Sequence, residues 1–138
     1  MKMRYVVGFL LVALAAATVA VFALRGNVAY RDGTYEGEYR SGDGDECTRA
    51  VLEIRDGRIV DCRLIATDAD GRIKDETYGK DGGEENYRLC QIAVSGMRQY
   101  PGMLLETQDV DKVDAVSGAT VTLKEFRLAV RQALERAR

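Results

Sequence analysis

One run in this 138-residue chain is dense in groups that could do chemistry: Asp114-Ala115-Val116-Ser117-Gly118-Ala119-Thr120-Val121-Thr122. The apolar stretch from Val110 to Val116 reads as a short strand and the residues after Thr122 as a helix, so the run is expected at a strand-turn-helix junction. The first N–H groups of a helix have no intrahelical partner and lie at the positive end of its dipole, where a phosphate gains charge-assisted hydrogen bonds. Ser117, Thr120 and Thr122 add hydroxyl donors, and Gly118 permits close backbone approach. The same residue types also serve as plain helix caps, so residue chemistry alone leaves two readings open, a phosphate site and a capped helix start.

Other chemistries are excluded more firmly. Histidine is absent, which removes Ser-His-Asp and Cys-His catalysis and every metal site that needs imidazole. A cofactor is therefore expected to supply any chemistry. Cys47, Cys62 and Cys90 form no C-x-x-C pair, so neither a dithiol redox motif nor a metal knuckle is available, and they read as small buried residues. Asp68-Ala69-Asp70-Gly71 has the middle of a calcium loop, but aligning Gly71 with the sixth position puts Ala66 and Thr77 where carboxylates are required. Asp43 and Asp45 read as a solvated turn, because nothing near them would separate their proton affinities.

The elements that must position the hydroxyl run follow from pattern. Asp32 to Tyr39 alternates as a first strand with Tyr35 and Tyr39 on one face, and Ser41 to Asp45 is turn-rich. Strands over about 47–55 and 59–66 meet at Asp56-Gly57. A three-residue loop there pairs Leu52 with Val60 and puts Ala50, Leu52, Ile54, Val60, Cys62 and Leu64 on one core face, with Cys47 on the other. That register disfavours a Cys47–Cys62 disulfide. Residues 67–83 are loop-like. A helix from about Glu84 to Tyr100 buries Tyr87, Cys90, Val94 and Met97, and Pro101-Gly102 ends it. Thr122 and Glu125 form a capping box for a last helix with Phe126, Ala129, Val130, Ala133, Leu134 and Ala137 on its apolar stripe. The expected class is α+β, a small antiparallel sheet packed by helices, with one N-terminal transmembrane helix.

That transmembrane helix is the uncharged run from Tyr5 to Leu24, about twenty residues, the length that crosses a bilayer. Lys2 and Arg4 ahead of it favour a cytoplasmic N-terminus, which puts the rest of the chain on the extracytoplasmic side of the cell membrane. A cleaved signal peptide ending near Val21-Phe22-Ala23 is the alternative. The expected organisation is a signal-anchor over 1–24, a tether over 25–31 and a domain over 32–138. Once Lys2 and Arg4 are taken from the 20 basic residues, 18 remain against 22 acidic ones, a net of −4 that speaks against a nucleic-acid partner.

The stretch Val113 to Thr122 resembles the signature of the FMN-binding domain family, which includes the flavoprotein subunits of the Rnf and sodium-pumping NADH:quinone oxidoreductase complexes. Asp32-Gly33-Thr34-Tyr35-Glu36-Gly37 and the Ile54-Arg55-Asp56-Gly57-Arg58-Ile59 hairpin carry the same resemblance. It implies FMN as cofactor and a flavin transferase as partner, with Asp114 as the acid the transferase recognises, Ser117, Gly118 and Ala119 as the turn, and Thr120 as the hydroxyl esterified by the FMN phosphate. Members often carry Glu-Thr-Pro-Gly-Leu-Gly near the isoalloxazine. The corresponding run here is Glu76-Thr77-Tyr78-Gly79-Lys80-Asp81, without the Pro or the last Gly, and Tyr78 reads either as a ring-stacking residue or as an ordinary loop tyrosine. The implied function is a membrane-anchored flavoprotein that exchanges electrons with membrane redox proteins, a redox subunit rather than a self-sufficient enzyme. The alternatives are a module that binds FMN reversibly or senses a ligand, and a structural domain with an empty site.

Overall fold

The computed structural model describes residues 30–43 and 45–138. The membrane span expected over 1–24 lies outside the described residues, and among these no helix is long and apolar enough to cross a membrane. Three strands, β1 (Gly33–Arg40), β2 (Cys47–Arg55) and β3 (Arg58–Thr67), form one antiparallel sheet in the order β1-β2-β3. Three helices follow: α1 (Glu84–Met97), α2 (Tyr100–Thr107) and α3 (Thr120–Arg136). The α+β class and the antiparallel sheet stand as expected.

The hairpin register differs from the expected one. The β2–β3 turn is the two-residue Asp56-Gly57, with φ of 51° and 69°, and Arg55 pairs with Arg58. Two consecutive left-handed residues make the turn whose twist matches the strands it joins. The extra residue is accommodated beyond the turn instead: the pairing shifts between Glu53 and Ile54, Val60 bulges to 46% exposure, and Leu52 pairs with Cys62. A bulge reverses the alternation of faces, so Ile59 and Cys62 are both buried beside Ala50, Leu52 and Ile54. Cys47 pairs with Thr67, and all three cysteines are free thiols.

The core lies between the sheet and α3, where Phe126, Ala129, Val130, Ala133, Leu134 and Ala137 are buried as the stripe requires. Each large apolar side chain buried here contributes about 1.5–3 kcal/mol. α3 crosses β1 at Gly37 so closely that a Cβ there would stand 1.9 Å from the Ala129 carbonyl oxygen. α2 packs on β3, and the Gln108 side chain behind it donates to Ile59 O and accepts from Ile59 N–H, both at 2.9 Å, closing that part of the sheet edge.

Three helical expectations are corrected. Pro101 does not end a helical region: α1 stops at Met97, and Pro101 occupies the first turn of α2, where its missing N–H costs nothing. Val110 to Val116 is not a strand but a short 3-10 turn, Val110–Lys112, followed by Val113 in extended conformation, and among the described residues it pairs with no strand of the sheet. The capping box does not form: α3 begins two residues before Thr122, and the Glu125 carboxylate instead accepts from the buried Thr48 hydroxyl at 2.7 Å.

Candidate functional site

The hydroxyl run sits at the start of α3. Val116 to Ala119 is a four-residue turn closed by the Ala119 N–H on Val116 O at 3.0 Å, with Gly118 in its third position at φ +84°. That position of such a turn is left-handed and favours glycine. Thr120 is the first residue of α3, exposed. The first helical bond runs from Leu123 N–H to Ala119 O, and Ala119 offers no side-chain cap. Among the described residues, the N–H groups of Thr120, Val121 and Thr122 therefore have no protein partner, and neither do the hydroxyls of Ser117 and Thr120. Unpaired donors at a helix start, with exposed hydroxyls around them, form a donor set that fits the phosphate of a nucleotide. Thr122, half-buried, lies within the first helical turn, and Asp114 is exposed just before the hydroxyl turn.

Two close contacts press this turn onto α1. A Cβ on Gly118 would stand 2.6 Å from the Ile92 side chain, and one on Gly96 would stand 2.7 Å from the Ala119 Cβ. From the core side, the buried Tyr100 hydroxyl donates to Ala119 O at 2.8 Å and accepts from Val116 N–H at 3.3 Å. The Tyr100 ring stacks on Phe126 at 5.9 Å between centroids. Arg127 Nη2 donates to Val113 O at 2.8 Å, holding the approach to the turn against α3. Reading the sequence missed Gly96 and Tyr100. A glycine inside a helical pattern is the available signal for the first, since it commonly marks a close packing contact. Nothing in the sequence signals the second.

Glu76, Thr77, Tyr78 and Gly79 pack against α1 through other residues of that helix. Gln91 Nε2 donates to Asp75 O and Tyr78 O at 3.0 Å each, Asn86 Nδ2 to Gly79 O at 2.9 Å and the Tyr87 hydroxyl to Glu76 O at 2.8 Å. The Glu76 carboxylate pairs with Arg98 at 2.7 Å, and its pKa lies below the ordinary value because of its backbone N–H and then Arg98. Asp75 is lowered likewise, first by the Thr77 hydroxyl at 2.7 Å. The Tyr78 phenol is half-buried; burial, then the charges of Asp68, Cys90 and Glu46, raise its pKa.

A groove of about 770 Å³ runs along α1 beside the hydroxyl turn, lined by Tyr87, Ile92, Ser95 and Gln99 and edged by Val116 and Ser117. Of the sequence-predicted residues it touches Ser117 but none of Glu76 to Gly79. A second cleft, of about 560 Å³, lies among Tyr30, Arg58, Lys112 and Arg138 and contains none of them. Since the chain enters the domain where Arg31 N–H meets Ala137 O, that cleft and the entry point share the end of α3 remote from Thr120.

A family model described as FMN-binding domain matches residues 48–135. The fold is similar to a crystal structure of a Clostridium perfringens protein, with TM-score 0.62 at 19% identity over 78% of this chain and 88% of that one. A solution structure of a Clostridium thermocellum protein is 24% identical over 77% of this chain and 91% of that one, with TM-score 0.49. No curated protein matches the chain significantly.

Proposed function

The chain belongs to the FMN-binding domain family and FMN is its cofactor; on that premise we propose that it is an extracytoplasmic electron carrier whose FMN is esterified through its phosphate to Thr120. The observation that carries the reading is the start of α3, where an exposed threonine stands among three N–H groups that have no partner among the described residues. Ser117, Gly118 and Ala119 shape the turn, Thr122 lies in the same first helical turn, and Asp114 is the exposed acid ahead of them for a flavin transferase to read. Bound flavin supplies one- and two-electron chemistry, while the protein sets its orientation and surroundings.

Attachment balances with a flavin dinucleotide as donor. The Thr120 Oγ forms a bond to the flavin-side phosphorus, the bond between the two phosphates breaks, and the other nucleotide leaves as its monophosphate with the electron pair. The hydroxyl proton passes to a base of the transferase, since this histidine-free domain supplies none next to Thr120. The groove along α1 has the volume of a small-molecule site, and Tyr87 and Ile92 give a ring system an apolar surface there. With residues 1–24 in the membrane, the tether over 25–31 joins the domain about 25 Å from Thr120, one length of α3. The ester keeps the flavin from diffusing away outside the cytoplasm and holds it within reach of membrane redox proteins.

Co-expressed with a flavin transferase, the protein should gain the mass of FMN minus water and fluoresce in a denaturing gel. Thr120→Ala should abolish both and leave the unfolding free energy within about 0.5 kcal/mol, as an exposed substitution does. Flavin released by acid precipitation of the native protein would replace the ester with reversible binding.

A further inference from the structure

We propose that Tyr100 is a positioning residue for flavin attachment: its hydroxyl fixes the turn in which Thr120 is presented to the transferase. The inference rests on the Thr120 ester reading and goes beyond it, because Tyr100 lies outside the matching motif and is fully buried.

The geometry is specific to a hydroxyl. Val116 N–H and Ala119 O belong to the first and last residues of the same turn, and the turn's own closing bond, from Ala119 N–H to Val116 O, leaves both of them free. One buried oxygen serves them together, accepting from Val116 N–H and donating to Ala119 O. The Ala119 carbonyl also accepts the first helical bond of α3, from Leu123 N–H, so its two lone pairs are filled by Tyr100 and by the helix. The hydroxyl thus couples the turn to the residue that opens α3, one position before Thr120. The stacked Phe126 ring and the burial of Tyr100 fix where its oxygen stands.

On the outer side the turn has no comparable tie. Ser117 and Gly118 are exposed, and their contact with α1 is apolar, through Ile92. Removing the hydroxyl leaves the two turn ends held by their own closing bond alone, while the ring goes on filling the core. The acceptor oxygen then samples positions away from the transferase's reacting phosphorus, and a misplacement of this size costs roughly ten- to a hundredfold in rate.

The test measures attachment kinetics on the full chain with purified transferase and a flavin dinucleotide, following mass gain, for the wild type, Tyr100→Phe and Val130→Ala. Val130 is a fully buried residue ten positions beyond Thr120, about 15 Å along α3, so its truncation controls for lost stability. All assays run well below the lowest melting temperature of the three. Tyr100→Phe is expected to lower kcat/KM roughly tenfold or more, with faster hydrogen exchange at Val116 N–H, while Val130→Ala keeps the wild-type kcat/KM despite its lower melting temperature. Equal rates for wild type and Tyr100→Phe would overturn the positioning role, as would equal losses in the two variants. A wild type that takes up no covalent flavin, with transferase active on another acceptor, sinks the ester reading itself.

Discussion

Two short segments flank α1, and they hold their shapes by different means. The Val116–Ala119 turn relies on backbone conformation and tight apolar contact: Gly118 supplies the left-handed residue, Gly96 lets Ala119 approach α1, and one buried hydroxyl ties the ends. The segment from Asp75 to Gly79 is held by polar side chains of α1 and its end, Asn86, Tyr87, Gln91 and Arg98. A loop can keep its form through restricted dihedrals or through donors aimed at its carbonyls. The first device leaves its outward hydroxyls and N–H groups free for a ligand, whereas the second consumes the loop's own polar groups. At the first segment the N–H groups that open α3 stay open, whereas at the second the Thr77 N–H and hydroxyl are both taken by the Asp75 carboxylate.

The comparison breaks most visibly at Gly96. Gly96→Val should drive a side chain into Ala119 and Val116, cost about 3 kcal/mol in urea unfolding as overpacking does, and abolish flavin ester formation on a denaturing gel. Next in size, Gln91→Leu should leave the Tyr78 carbonyl without its side-chain donor and the Asp75 carbonyl with the Tyr78 N–H alone, and cost about 1–3 kcal/mol. Limited proteolysis at Lys74 and Lys80 should quicken while ester formation at Thr120 stays at the wild-type level. Equal loss of loading in the two variants would show that the segments are not independent.

The smallest expected effect is an acid one, confined to the second segment's root. Asp68 is buried, which raises its pKa, yet the Arg72 N–H, the Arg72 guanidinium at 2.9 Å and the Asp70 N–H outweigh burial and hold it below its ordinary value. A folded pKa below the unfolded one means the contribution is whole above the ordinary carboxylate range and disappears as pH falls through the folded value. The stability gap between wild type and Asp68→Asn, read from urea midpoints, should therefore close on acidification. Hydrogen exchange at Val116 should not follow it.

The thiols sharpen the same contrast between buried and open groups. Burial, and then the Asp61 carboxylate, push Cys62 up to about 12, so this thiol should resist alkylation near neutral pH until the protein is unfolded, as the mass gained from iodoacetamide with and without urea would show.

Much of the fold was legible because period and turn chemistry are local. Alternation placed β1 to within a residue, and each residue named on the 3.6-residue stripe of the last helix, from Phe126 to Ala137, is buried, with Leu123 one turn earlier joining them. The acceptor turn was legible for the same reason, since Ser117, Gly118 and Thr120 stand together in sequence. Three features depended on distant partners and were not. The position of the β2–β3 bulge was decided by which residue could leave the core, and Val60 left while Ile59 stayed. Thr48 drew Glu125 away from a capping box, because a buried hydroxyl needs a partner. Tyr100, which sequence reading placed at the end of one helix, became the first residue of another.

The chain by itself determined the chemistry available: without histidine and without paired cysteines, reactivity had to come from a bound group, and the run from Asp114 to Thr122 was where residue types could hold one. Only tertiary structure decided which donors remain free for it. Whether a backbone group is spent depends on groups that packing brings from elsewhere, as it brings Tyr100 to the Val116 N–H and the Ala119 carbonyl and Gln91 to the carbonyls of the opposite segment. Local sequence specifies the donors, and long-range contact satisfies some and spares the rest.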